Sequence, residues 1–393
     1  MWARSCADAC LMVTAVGIPL STSVMEGGVL GLIALTTVGL LSGWSVARRT
    51  PLDGVLLLFI GVLALSSLAS GHLWEATGWP RLWVMSTYWM TAWWLRDRKH
   101  ATRLVSVLLG AATVAAVYGI VQHFTGIDWY RALLGRTQRA RPRVIGDTRF
   151  AVVGFFRNYL TFAHVMLFPL GWSAARASTG RLGAVAATVA LVVAVVFSTA
   201  RGAWLAMLAL AAALAVTRGG RRGRVVVIGM VASMALAFAG SADLRSEAGR
   251  MFARTPENLG RLAIYAANLD IVRAHPLLGL GYGRYETAAR PYYTAHPDAD
   301  RRSHAHNNFL QIAAEAGLVG LAAFGLMFGV ALWVGAGAVR HAADAQSWST
   351  AAGAYVGVIG FLVGGLTQYN FGDNEVALAL WFALAVLVRG ADE

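Results

Sequence analysis

The chain has 393 residues, 57% of them hydrophobic and only 13% charged, and its net charge of +13 is carried almost wholly by arginine, Lys99 being its one lysine. A soluble globular chain carries about 25% charged residues, and the strands of a membrane barrel alternate polar and apolar residues; the long apolar runs here fit neither. An all-α polytopic membrane protein remains, because a lipid-exposed backbone satisfies its own polar groups only in helices or closed barrels.

Apolar windows approaching the ~20 residues that cross a bilayer fall near 8–25, 28–46, 52–70, 80–96, 101–123, 150–175, 181–199, 202–217, 224–241, 307–338, 350–368 and 374–389. They predict twelve spans forming one integral membrane domain over 1–393. The first two are separated only by Glu26-Gly27-Gly28. Cys6 and Cys10 at the start of the first read as buried small residues, since two thiols cannot complete a structural zinc site. The N-terminus lacks a small-residue cleavage motif and reads as an uncleaved first helix. The fourth window is rich in Trp and Tyr, as an interface-hugging helix is.

The short connections sort by charge. Arg48 and Arg49, Arg96 with Arg98, Lys99 and Arg103, Arg176 with Arg181, Arg218 with Arg221, Arg222 and Arg224, and Arg340 all follow even-numbered spans. That side is expected to be cytoplasmic, with both termini. Two segments then fall outside. Phe124 to Arg149 carries Arg131, Arg136, Arg139, Arg141, Arg143 and Arg149 against the topological bias, which a phosphate-bearing ligand would explain. Residues 242–305 form a long extracytoplasmic loop before span ten, expected to contain short helices and to carry function.

Within this frame, polar residues in apolar surroundings are the candidates for chemistry. Arg201 opens span eight, where an arginine needs a cavity or a partner. His306, in His304-Ala305-His306-Asn307 at the mouth of span ten, places a side chain that titrates near neutrality where water meets lipid. On a helix His304 and His306 would not share a face, so only one is expected to enter a common cavity. Glu315, ~13 Å further along a continuous helix, is too far to orient His306 and reads as an interhelical hydrogen-bonding residue. Gly279-x-Gly281-x-Gly283 lacks the strand–helix context of a dinucleotide site. Asp298-Ala299-Asp300, near His296, His304 and His306, raises a divalent-metal alternative; arginines already able to neutralise a diphosphate make the cation unnecessary, so no metal and no cofactor are expected. Asp373 and Glu375, beside Asn370 and Asn374 in the last external turn, could order the arginines or bind acceptor sugars.

Taken together these residues resemble the O-antigen ligase and polymerase superfamily of bacterial envelope glycosyltransferases. His306-Asn307, nine residues, Gly317, two residues and Gly320 fit its ligase signature; Arg201 to Leu205 matches its Arg-x-x-x-Leu element; Arg261, before His275-Pro276-Leu277-Leu278-Gly279, matches its loop arginine. The resemblance implies a GT-C-like enzyme of the bacterial inner membrane with a periplasmic active site. Its implied donor is a glycan on undecaprenyl diphosphate and its acceptor a hydroxyl of the lipid A core, with transfer metal-independent and inverting. His306 would be the base, and Arg201 and Arg261 would hold the diphosphate and stabilise its growing charge. Arg284, Arg139, Arg141, Arg143 and Asn307 are further substrate-binding candidates. Membrane lipids are expected partners and nucleic acid is not. An O-antigen polymerase or a protein O-oligosaccharyltransferase would share this chemistry. A polyprenyl-linked glycan transporter would use similar residues but is expected to show two similar halves, which this sequence does not display.

Overall fold

The computed structural model describes residues 2–44, 46–72, 82–135, 144–145, 149–218, 220–299 and 304–389. The chain begins with α1 (Trp2–Leu20), α2 (Thr22–Leu41), α3 (Asp53–Ala69), a 3-10 turn over Trp83–Met85 leading into α4 (Ser86–Trp94), and α5 (Arg98–Thr125). A short α6 (Trp129–Leu133) and two paired antiparallel strands, β1 (Val144–Ile145) and β2 (Arg149–Phe150), precede α7 (Tyr159–Ala177), α8 (Leu182–Phe197), α9 (Arg201–Thr217) and α10 (Arg221–Ala239). The long connection holds α11 (Ala242–Gly249), α12 (Pro256–Ala274), α13 (Tyr285–Ala288) and α14 (Arg290–Thr294), before α15 (Asn308–Arg340), α16 (Ala345–Gly364) and α17 (Asn374–Arg389) close the chain. Each of the twelve predicted windows thus coincides with a helix. Among the described residues six of them, α1, α2, α5, α10, α15 and α16, are long and apolar enough to cross a bilayer, and the protein is an all-α polytopic membrane protein.

Short polar residues start these helices. The side chains of Ser21, Asp97, Asn158, Thr255, Asn307 and Asp344 each accept an N–H of the first turn they precede, satisfying donors that have no partner inside the helix. The centre of the bundle is α17, in which every residue from Val376 to Val388 is buried, against α4, α7 and α16. By contrast α10 buries only Gly223 and Met230. A small second core of Ile264, Ile271, Tyr285 and Tyr293 holds the long connection together, with the Asn268 amide donating to the Tyr285 hydroxyl at 2.7 Å.

Contacts between distant parts of the chain sort the connections into two ends. Arg96 bonds Asp8, Trp93 bonds the Arg48 carbonyl, Arg176 bonds Ser106, and Arg218 lies over Trp348, so the arginine-rich even connections share one end. At the other, Thr22 bonds Glu375, Val152 N–H bonds the Phe197 carbonyl, Ser66 bonds the Leu278 carbonyl, and Arg201 pairs with Glu257.

Four local expectations are corrected. The first two helices part at Ser21, not at Glu26-Gly27-Gly28, because Ser21 after Pro19 is the capping residue and Glu26 and Gly27 lie inside α2. Cys6 is exposed and Cys10 half-buried, one turn apart on α1. Residues 151–156 of the sixth window are a non-helical segment, much of it buried, in which Gly154 N–H donates to Gln122 Oε1 at 2.8 Å and the Gly154 carbonyl accepts from Gln122 Nε2 at 3.1 Å. The tenth window, expected as one helix, is broken at Gly317, where φ is 66° and ψ −169°.

The break in α15 has a definite cause. The turn Pro276–Gly281 wedges into it: Leu280 and Gly281 N–H donate to the Ala314 and Glu315 carbonyls at 2.9 and 3.0 Å, while Leu318 N–H donates to the Pro276 carbonyl at 2.8 Å. Ser66 on α3 donates to the Leu278 and Glu315 carbonyls, both at 2.8 Å. A Cβ at position 317 would stand 2.1 Å from the Leu277 carbonyl oxygen, so glycine alone fits both the backbone angle and the space.

Candidate functional site

Two non-glycine residues have left-handed backbones among the described residues, Thr199 with φ 62° and His306 with φ 52°. Such conformations are held only where the surroundings enforce them. Each lies at a corner: Ser198–Ala200 joins α8 to α9, and His304–Asn307 leads into α15. Both corners rest on the turn after α16. Gly202 packs against Thr367, whose Oγ1 would lie 2.0 Å from a Cβ there. Asn307 donates its side-chain amide to the Leu366 carbonyl at 2.9 Å, and Asn308 N–H donates to the Gly365 carbonyl at 2.7 Å. The Asn308 side-chain amide donates to Asn370 Oδ1 at 2.6 Å.

The first corner carries the charge. Arg201 begins α9, so it stands at a helix terminus and not within a continuous apolar run. Its guanidinium pairs with Glu257 Oε1 at 2.7 Å and donates to the Arg250 carbonyl at 3.1 Å. Arg261, one turn after Glu257 on α12, reaches the same Oε1 at 3.3 Å and donates to the Thr367 carbonyl at 3.4 Å. One carboxylate oxygen therefore joins two guanidinium groups from distant parts of the chain. Thr255 and Pro256 start α12 and place Glu257 in its first turn. Arg201, Arg261, Glu257, Glu247, Gln368 and His164 line one small cleft, partly open to solvent.

The second corner carries the imidazole. His306 Nδ1 lies 3.0 Å from Gln368 Oε1. An amide oxygen only accepts, so Nδ1 is the donor in this bond. The His306 carbonyl accepts from Tyr265 at 3.3 Å; burial raises the phenol pKa of Tyr265 above its ordinary value, so this hydroxyl remains a donor. Asn307 caps α15, with Oδ1 accepting from Phe309 and Leu310 N–H at 2.8 and 3.0 Å. His306 precedes the helix, so the argument from helix faces does not apply: the His304 and His306 rings stand 4.3 Å apart, and His304 Nδ1 accepts the His306 N–H at 3.3 Å.

The structure thus brings Arg201 and Arg261 onto one cleft and joins His306 to it through Gln368, a lining residue. Arg284 is elsewhere: it lines a second cleft with Ser70, His275 and Leu277. Arg139, Arg141 and Arg143 lie outside the described residues. Of their cluster, Arg131 is taken up by Asp128 and the Phe156 carbonyl, and Arg149 lies 5.1 Å over the Phe124 ring; these two have structural partners and call for no phosphate. Asp300 also lies outside, and His296 bonds Asp270 at 2.8 Å. That bond, with Arg273 beside it, holds the Asp270 carboxyl below its usual range.

Sequence reasoning missed Glu257, Gln368, Tyr265 and His164. Glu257 had a signal, its spacing of four from Arg261 on a capped helix. Gln368 had none, because its partner lies 62 positions away.

Residues 186–325, from α8 through the break in α15, match the family model described as O-antigen ligase. That stretch holds Arg201, Glu257, Arg261, His306 and both glycines of the spaced motif. The exopolysaccharide production protein ExoQ of Rhizobium meliloti (strain 1021) is 28% identical over 181 residues, which cover 43% of this chain and 41% of that protein. The two guanidinium groups of the cleft, and His306 joined to it through Gln368, thus lie in the segment of this polytopic helical bundle that is similar to the O-antigen ligase family, which supports the O-antigen ligase and polymerase superfamily.

Proposed function

We propose that the protein transfers a glycan from undecaprenyl diphosphate to an acceptor hydroxyl of the lipid A core, at the periplasmic face of the inner membrane. One observation carries the reading: Arg201 and Arg261 share Glu257 on a single cleft that also contains Gln368, the residue bonded to His306. A diphosphate is bound best by planar, permanently charged, bidentate donors. Glu257 is their counter-ion until the anion arrives. In the reaction, His306 Nε2 takes the acceptor proton and the oxygen attacks the anomeric carbon from the side opposite the diphosphate. The bond from that carbon to the diphosphate oxygen breaks with its electron pair passing to the diphosphate, whose charge the two arginines stabilise. Configuration inverts in this single displacement. The site lies at the end of the bundle away from the arginine-rich short connections, which supports a periplasmic location through the positive-inside rule.

A second reading, a polymerase joining lipid-linked repeats, is favoured by the exopolysaccharide relative. The two are separated by incubating purified protein with an undecaprenyl-diphosphate glycan and either lipid A core or a second lipid-linked repeat, with EDTA throughout and Arg201→Ala as control. Transfer to the core is the expected result, and elongation of the repeat would establish the polymerase. Transfer to neither, or activity undiminished in Arg201→Ala, would overturn the shared mechanism.

A further inference from the structure

His164, on α7, lines the cleft and is only 2% exposed. Its Nδ1 lies 2.8 Å from the Leu160 carbonyl, an acceptor, so the proton sits on Nδ1 and the neutral ring presents Nε2 as a lone pair. Nε2 has no hydrogen-bond partner among the described residues. Gly364 leaves the room the ring occupies: a Cβ there would fall 3.0 Å from Nε2. Thr199, 4% exposed and on the same cleft, likewise has its Oγ1 without a partner among the described residues. It holds this place at the cost of a left-handed backbone, a genuine outlier for a β-branched residue. Buried polar atoms without partners are uncommon, because their dehydration is uncompensated.

We infer that His164 and Thr199 are positioning residues that bind a hydroxyl of the donor's first sugar, next to the diphosphate held by Arg201 and Arg261. This rests on the proposed diphosphate reading of those arginines. The chemistry selects the ligand group. A neutral imidazole nitrogen needs a partner that brings a proton, and the diphosphate oxygens, ionised at neutral pH, have none to give. A sugar hydroxyl can donate to a nitrogen such as His164 Nε2 and can accept from a hydroxyl such as Thr199 Oγ1. The pair then fixes the orientation of the sugar ring, and with it the face the anomeric carbon turns to the acceptor. An acceptor sugar would bring the same hydroxyl, so the test is made without acceptor.

Full-length protein in nanodiscs is titrated with undecaprenyl diphosphate alone and with the same lipid carrying glucose, galactose or N-acetylglucosamine. Wild type is expected to bind at least one sugar-bearing lipid about tenfold more tightly than the bare lipid, the size of one hydrogen bond to an otherwise unpaired buried group. His164→Phe, which keeps the ring volume, and Thr199→Val, which keeps the branched shape, should each erase that preference and leave binding of the bare lipid unchanged. A preference that survives both substitutions would overturn the inference. So would equal losses for bare and sugar-bearing lipids, which would assign His164 to phosphate or to packing, or a wild type without any preference. Arg201→Ala should weaken every lipid alike; if it does not, the diphosphate reading has failed, a result distinct from any of these.

Discussion

The two corners of the cleft are built alike and equipped differently. Each holds a left-handed non-glycine residue and each leans on the turn after α16. The Thr199 corner presents charge: an arginine with a carboxylate counter-ion, a second arginine on the same oxygen, and a hydroxyl with no partner among the described residues. The His306 corner is tied down by Gln368, Tyr265 and the bonds of Asn307. In the proposed function the first corner exchanges its carboxylate partner for a ligand, while the second holds a single ring against Gln368. The proposed function places binding and proton transfer at the starts of two different helices, α9 and α15, joined through one turn.

The sharpest way to break that division is to remove each side chain and separate affinity from turnover. Arg201→Ala should abolish tight binding of undecaprenyl diphosphate and lower transfer ~10²–10³-fold. His306→Ala should leave the lipid bound near wild-type affinity while transfer falls ~10²–10⁴-fold. Equal losses of affinity in both variants, read by titration beside single-turnover transfer, would merge the two corners into one binding site. The next largest effect lies beneath the His306 corner. Gly317→Ala forces a Cβ onto the Leu277 carbonyl at a positive φ and should destabilise by about 3 kcal/mol or more. Gly325→Ala on the same helix meets nothing within 4 Å and should be neutral or stabilising by up to about 1 kcal/mol. Thermal melts of the two variants in detergent give the comparison directly.

How much of this was legible follows from the distances involved. Helices follow from local hydropathy, so every window found its helix, and spaced motifs within one segment pointed to His306, Asn307 and Gly317. The break at Gly317 was not legible, because its cause is a turn some forty positions earlier that supplies both donors and acceptors to the parted helix. Nor was burial. The apolar sequences of α10 and α17 read alike, yet one buries two residues and the other nearly all, since hydropathy says that a helix avoids water without saying whether lipid or protein replaces it. Arg131 shows the reverse error: an arginine set against topological bias looked like a ligand contact, and Asp128 three residues before it was the explanation.

A smaller effect probes how the corners communicate. Gln368→Ala removes the acceptor for His306 Nδ1–H while leaving the arginines in place. It should lower kcat about tenfold with little change in KM and move the pH profile of kcat, because the ring loses the bond that selects its tautomer. A loss confined to KM would mean that Gln368 serves the binding corner instead.

The smallest expected effect concerns the far end of the same turn, where Asp373 accepts from the Thr161 hydroxyl at 2.5 Å beside Glu375. Burial, followed by the neighbouring Glu375 carboxylate, pushes its pKa from 3.8 up to about 7. The folded state thus holds this proton more tightly than the unfolded chain, and between about pH 4 and 7 it binds the greater share. Stability from this group is complete below the unfolded value and is lost as pH rises through about 7. Melting temperature in detergent should therefore be higher at pH 5.5 than at pH 8, with the difference much reduced in Asp373→Asn. If the activity of wild type also falls across that interval while lipid binding does not, the turn loosens the His306 corner first. Were binding to fall first, the ionised Asp373 would act on the arginine corner, and the division between the two would depend on the protonation of the turn they share.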